Sequence, residues 1–255
     1  MISSILEKIR SLLVSQNNLL VNITIDQHNF NHLKPMIESF VTSIPLTTPN
    51  ITTWKLNKQT INEGLIIPSQ VNFVGKGGNL FDLGYQDHGS MSVITQYLRS
   101  TWLWEKIRVQ GGAYGGFCSF DRFSGLFSFL SYRDPNIMET INNYDKTSQF
   151  LTQNEINDSE LTKSTIGAIG DIDAYQLPDA KGYTAMVRYL LGITDEDRQK
   201  YRDELLSTTN KDFIQFAKVL GLLKDQSNIV VLGSAEAIEK VNQETKLFKE
   251  IRKII

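Results

Sequence analysis

Strand-like and helical stretches are segregated along this chain, and that segregation restricts the fold more than any other feature. "EGLIIP" (63–68) and "QVNFVGKG" (70–77) are short apolar runs split by Pro68. One helical stretch follows, from about 90 to 107. Then "AYGGFCSFD" (113–121) and "GLFSFLSYRD" (125–134) flank a short turn, with aromatic residues at alternate positions. That alternation predicts a β-hairpin. From residue 136 onward the spacing is mostly helical, over 137–151, 157–169, 180–191, 195–206 and 212–220. Strand spacing returns at "SNIVVLG" (227–233), with a further helix from about 235. Strands early and helices late disfavour a regular βαβ alternation. The reading is an α+β fold: a mostly antiparallel sheet with helices packed on one face.

The N-terminal part repeats a piece of that pattern. Residues 2–16 place Ile2, Ile5, Leu6, Ile9, Leu12 and Leu13 at helical spacing. "NLLVNITID" (18–26) reads as a strand, and "FNHLKPMIESFVTSI" (30–44) as a helix with an early Pro35. Residues 45–62 are rich in Thr, Asn and Pro without periodicity, as a connector would be. The strand and helix at 18–43 share the layout of 227–248. Such an echo across a linker predicts two homologous domains. The connector is a candidate domain boundary, with only the tail of the first domain present before it.

Composition narrows the function. Of the 255 residues, 41% are hydrophobic and 21% charged, as in a globular protein that buries a core. A formal net charge of −2 argues against a nucleic-acid binder, which needs clustered Lys and Arg. A single cysteine allows no internal disulfide. No apolar run reaches the length of a membrane span. The first helix carries Glu7 and no small-residue cleavage site, so no targeting segment is read in this chain.

Most candidate sites fall to plainer readings. His28 and His32 have the spacing of two helical metal ligands, but no glutamate stands between them and no third histidine is near. No metal site is expected in this chain. "GGAYGG" has the glycine content of a phosphate loop, yet Phe117 and Cys118 stand where Lys and Ser or Thr belong. Asp171 and Asp173 read as helix-end or surface charges, and Cys118 as a buried thiol. Arg108 and Tyr114 are different. In "RVQGGAYGGFC" (108–118) the pair Gly111 and Gly112 lets the chain turn off a helix, and Gly115 and Gly116 keep bulk away from Tyr114. An arginine fork and a tyrosine hydroxyl suit a peptide's carbonyl groups. The plain alternative is a helix end, a glycine turn and a strand that begins with tyrosine.

Three blocks carry a resemblance. "LWEKIRVQGGAYGGFCSFDRFSGLFSFLSYRDPN", "IGDIDAYQLPDAKGYTAMVRYLLGITDEDRQ" and "IPSQVNFVGKG" resemble the last domain of the presequence protease family. These are zinc peptidases of the pitrilysin and insulin-degrading-enzyme superfamily. The resemblance implies four homologous α+β domains in two half-shells that close around an unfolded peptide, with residues 1–52 as the end of the preceding domain and its linker and 53–255 as the C-terminal domain. It implies that the N-terminal half binds zinc through an inverted His-x-x-Glu-His motif. It assigns Arg108 and Tyr114 as the substrate-binding pair of the C-terminal half, with Tyr114 assisting catalysis. No His-x-x-Glu-His occurs in these 255 residues. The chain therefore resembles the C-terminal part of such an enzyme, either a piece of a longer peptidase or one part of a split one.

Two functions follow from the resemblance. The first is the substrate-binding part of a zinc metalloendopeptidase that degrades short unstructured peptides such as cleaved targeting presequences, inactive in isolation. Its partners would be peptide substrates and the zinc-binding N-terminal half, with no nucleic acid and no membrane. Its place would be the mitochondrial matrix or a plastid. The second is a non-catalytic binding or scaffold module derived from the family.

Overall fold

A computed structural model describes residues 2–47, 52–54 and 61–255. The chain divides into two compact units, Met1–Asn57 with Tyr175–Thr194, and Lys58–Ala174 with Asp195–Ile255. The connector expected over 45–62 lies largely outside the described residues.

The first unit is helical. It holds α1 (Ile2–Leu13), α2 (Gln27–Ser43) and, from far along the chain, α7 (Pro178–Leu191). α2 starts where Asp26 accepts the Asn29 N–H at 3.0 Å, an N-cap that satisfies one orphan donor. The helix begins about a turn before the expected start, which moves Pro35 deeper into it. α7 opens on Pro178 and closes on Gly192 at φ 67°, the usual proline and glycine asymmetry. Thr24 seats its side chain directly on Gly182 of α7. The expected strand over 18–26 is not formed. Gln16–Asn18 make a 3₁₀ turn and 19–26 carry no ladder. Val, Ile and Thr favour strands only where a neighbour takes up the backbone groups. The apolar surface in this segment is instead on α1, whose Ile2, Leu6 and Leu13 are exposed.

The second unit is built on one six-stranded sheet: β1 (Glu63–Ile66), β2 (Phe73–Asn79), β3 (Gly115–Phe120), β4 (Leu126–Tyr132), β5 (Asn228–Gly233) and β6 (Glu250–Lys253). The spatial order is β3-β4-β2-β5-β1-β6. The β3/β4, β4/β2 and β2/β5 pairs are antiparallel, while β1 runs parallel to both β5 and β6. The sheet is thus mostly antiparallel, as the segregated pattern predicts.

Alternation decides the faces. In β4, Phe127, Phe129 and Ser131 are buried while Leu126, Leu130 and Tyr132 are exposed. In β5, Ile229 and Val231 are buried and Val230 is exposed. One face therefore carries the core, where α3 (Ser90–Ser100) packs on β3, and α9 (Asn210–Gln226) and α4 (Met138–Asp145) on β2. α10 (Ala235–Thr245) covers β1 and β5. Phe127 stacks edge-on with Phe129 and Phe216 in this layer. α5 (Thr147–Gln153), α6 (Asp158–Ile172) and α8 (Asp195–Leu206) complete the helical side.

Three details depart from the periodicity. The helix expected over 90–107 ends at Ser100 and resumes as a π-helical segment, Trp104–Gln110. The helix expected over 137–151 breaks at Lys146 into α4 and α5. β6 was not anticipated: "EIRK" has a single apolar residue, and charge is common on an edge strand. Elsewhere the caps are where polar residues invite them. Asn157 caps α6, Thr209 and Asp212 form a capping box on α9, and Ser234 caps α10.

Candidate functional site

The glycine turn joins the π-helical segment to β3. Its widened hydrogen bonding is visible where the Gly111 N–H reaches back five residues to the Lys106 carbonyl at 3.1 Å. Such π turns concentrate at functional sites. Gly112 follows at φ 76°, a backbone conformation that other L-residues adopt at a cost of about 1–2 kcal/mol. Asn136 then ties the turn down by donating its side-chain amide to the Gly111 carbonyl at 2.6 Å. Gly116 serves packing rather than ligand access. A Cβ there would lie 2.8 Å from Cβ of Ile107, so a bare residue lets the strand cross the buried isoleucine.

This turn brings Arg108 and Tyr114 together. The Arg108 guanidinium lies 5.9 Å from the Tyr114 ring centroid. Both side chains are exposed, Tyr114 to 67%. The Tyr114 N–H donates to the Tyr132 carbonyl at 3.0 Å, so the base of the residue is fixed by the sheet. Its ring meets Tyr132 edge-on at 5.7 Å. Neither the Arg108 donors nor the Tyr114 hydroxyl is occupied by a hydrogen bond or ion pair among the described residues. Two strong polar groups thus face outward from one rigid corner, with an arginine fork able to grip a carbonyl and a phenol able to donate to an oxyanion.

The other candidates are not drawn into this site. His28 and His32 lie on α2 with rings 4.7 Å apart, and His32 Nδ1 is engaged at 2.9 Å by the His28 carbonyl. Among the described residues no group of three or more His, Cys, Asp or Glu side chains is placed to hold a metal ion. The residues here therefore do not fit a zinc centre. Asp173 closes α6 and pairs with Arg202 at 2.6 Å, whose hydrogen bond lowers its pKa. Asp171 is exposed on the same helix. Cys118 is buried and directs its sulfur toward the Thr95 carbonyl at 3.7 Å. Burial pushes its thiol up to about 12. At pH 8 the folded chain should therefore leave a thiol reagent such as Ellman's unreacted, and one equivalent should react in denaturant. Fast labelling of the native chain at full stability would contradict this.

The sequence reading missed Trp104. Its ring lies 4.1 Å from the Arg108 guanidinium. The signal was available, since Trp104 and Arg108 stand four apart in "LWEKIR", close enough to meet on a helical turn.

The architecture has counterparts among solved structures. A peptidase M16 inactive domain from Pseudomonas fluorescens superposes with a TM-score of 0.58 at 16% identity, over 80% of this chain and 51% of that one. Pitrilysin superposes with a TM-score of 0.51 at 12% identity, over 90% of this chain and 25% of that one. The fold is that of pitrilysin-type peptidase domains. At the level of sequence, a family model described as the PreP C-terminal domain matches residues 62–235. The chain belongs to this family of presequence protease C-terminal domains. Presequence protease 1, chloroplastic/mitochondrial, of Arabidopsis thaliana is 45% identical over 255 residues, 100% of this chain and 24% of that protein. Protein HypA of Clostridium perfringens is 32% identical over 254 residues, 100% of this chain and 26% of that protein. The chain thus spans about a quarter of the length of these relatives.

Proposed function

We propose that this chain is the substrate-binding C-terminal part of a zinc metalloendopeptidase that degrades short unstructured peptides such as cleaved targeting presequences. In this reading 1–52 is the end of a preceding homologous domain and 53–255 the last domain. The zinc and its activated water belong to an N-terminal half carried outside these residues. The relatives named as chloroplastic or mitochondrial favour the mitochondrial matrix or a plastid as its location. The observation that carries the reading is the convergence of Arg108 and Tyr114 on one exposed corner with their donors free.

The residues here would do two things. Arg108 grips a peptide carbonyl and orients the bond to be cut. Tyr114 donates its hydroxyl proton in a hydrogen bond to the oxygen of the scissile carbonyl, which gains charge as the tetrahedral species forms. The second reading, a non-catalytic binding or scaffold module, draws on the absence of the inverted zinc motif from these 255 residues.

A catalytic zinc needs about three protein ligands and an open position for water. The isolated chain, incubated with zinc and a fluorogenic peptide, should show no turnover. Chelator-sensitive cleavage by the isolated chain would overturn the division of labour. Loss of peptide cleavage in a complete enzyme carrying Arg108→Ala separates the first reading from the scaffold reading, which forecasts no change.

A further inference from the structure

Arg108 is part of a longer array. Its guanidinium lies 4.1 Å from the Trp104 ring centroid and 5.9 Å from that of Tyr114. Tyr114 meets Tyr132 edge-on at 5.7 Å, and Tyr132 meets Phe73 likewise at 5.4 Å. A ladder of aromatic rings interrupted by one cation therefore runs from the π-helical segment onto the open face of the sheet. Trp104, Tyr114 and Tyr132 are all exposed along it.

The nearest acid in sequence does not compete for the arginine. Glu105 accepts from the Gln110 side chain at 2.8 Å, and Gln110 in turn accepts from Lys106 at 2.9 Å. Stacking and ion pairing have opposite consequences for a guanidinium. A carboxylate would consume its N–H donors, which lie in the plane of the group. A ring face contacts only the π surface and leaves those donors pointing outward. It also restricts a long side chain that would otherwise lose its rotamer freedom when a ligand arrives.

We propose that Trp104 is a positioning residue for peptide binding: its indole holds the Arg108 guanidinium flat and in line with Tyr114, donors outward, before a peptide carbonyl arrives. This rests on the reading of Arg108 as a substrate-gripping residue. Trp104 acts through Arg108 and touches no reacting atom.

The test has two arms. In the full-length enzyme, kcat, KM and melting temperature are measured for Trp104→Ala, Trp104→Phe, Arg108→Ala and the Trp104→Ala/Arg108→Ala double variant. Trp104→Ala should raise KM about two- to thirtyfold, the range of a cation–π contact, with a smaller change in kcat. Trp104→Phe should recover part of the loss, because a phenyl face binds a cation less well than an indole. With Arg108 already removed, Trp104→Ala should add almost nothing. In the second arm, proton NMR of this chain reads the Arg108 δ-methylene signals, which the indole ring current should move upfield and Trp104→Ala should return. Full additivity of the two alanine variants overturns the proposal, as does an unchanged KM in Trp104→Ala where Arg108→Ala raises it. Absence of the ring-current shift overturns the stack itself. If Arg108→Ala leaves KM unchanged while the shift is present, the substrate reading of Arg108 has failed and the positioning role falls with it.

Discussion

In the complete enzyme, Tyr114→Phe is expected to lower kcat by about 10²- to 10³-fold and to raise KM by much less, if Tyr114 meets the oxyanion as proposed. The substitution removes one oxygen atom and keeps the ring. The edge-on contact with Tyr132 and the 3.0 Å bond from the Tyr114 N–H to the Tyr132 carbonyl both survive it. The hydroxyl is otherwise unoccupied among the described residues, so its loss disturbs no fold contact there. A donor that meets charge present only in the transition state contributes to kcat, not to ground-state binding. Arg108→Lys should behave differently. It keeps the charge but loses the planar fork and the guanidinium that lies 4.1 Å from the Trp104 ring centroid, so the loss in kcat/KM should fall partly on KM. A Tyr114→Phe enzyme with unchanged kcat and an unchanged melting temperature would remove the catalytic assignment and leave a glycine turn.

The largest expected effect on stability lies in the core, away from that corner. Lys76 sits on the buried face of β2 with its side chain 5% exposed, and its ammonium is paired with Asp145 at the end of α4, 18% exposed. Asp145→Ala leaves a buried cation without its counter-charge. Breaking such a pair from one side costs about 3–5 kcal/mol. For a chain of this size that corresponds to a fall in melting temperature of roughly 6–20 °C. Lys76→Met should cost less, because the carboxylate left behind is nearer to water and the methionine fills the same space. Calorimetry of both variants and of the Lys76→Met/Asp145→Leu double variant decides the matter. Equal losses in the two single variants, or a double variant as unstable as Asp145→Ala, would show that the pair is not what holds β2 to α4.

Much of this was readable from residues alone because the relevant signals are local. The alternation in "GLFSFLSY" sets which β4 side chains are buried, since successive residues of a strand face opposite ways. α6 and α10 start within a residue of the expected 157 and 235, where Asn157 and Ser234 cap them by bonding free backbone N–H groups. Arg108 and Tyr114 were legible as a pair because glycines between them signal a tight turn, and a tight turn brings its flanks close.

What depended on partners far along the chain was not legible. "NLLVNITID" has strand composition but no ladder in its own unit, whereas the charged "EIRK" becomes β6 because β1 offers it a free edge. Strand propensity describes how a residue fits a sheet, and only the fold supplies the sheet. The same holds for Lys76, whose burial depends on an aspartate 69 residues away. The π-helical segment belongs here too, since a regular helical pattern in 90–107 gives no sign of the break after Ser100. Within this chain, then, sequence determined the class of fold, the faces of the sheet and a glycine turn that brings Arg108 and Tyr114 near each other. Tertiary structure alone decided which strands pair, where the helix widens, and that the Arg108 guanidinium lies over the Trp104 ring. Local signals depend on neighbours within a turn or a pleat, while pairing and close packing depend on residues brought together by the whole chain.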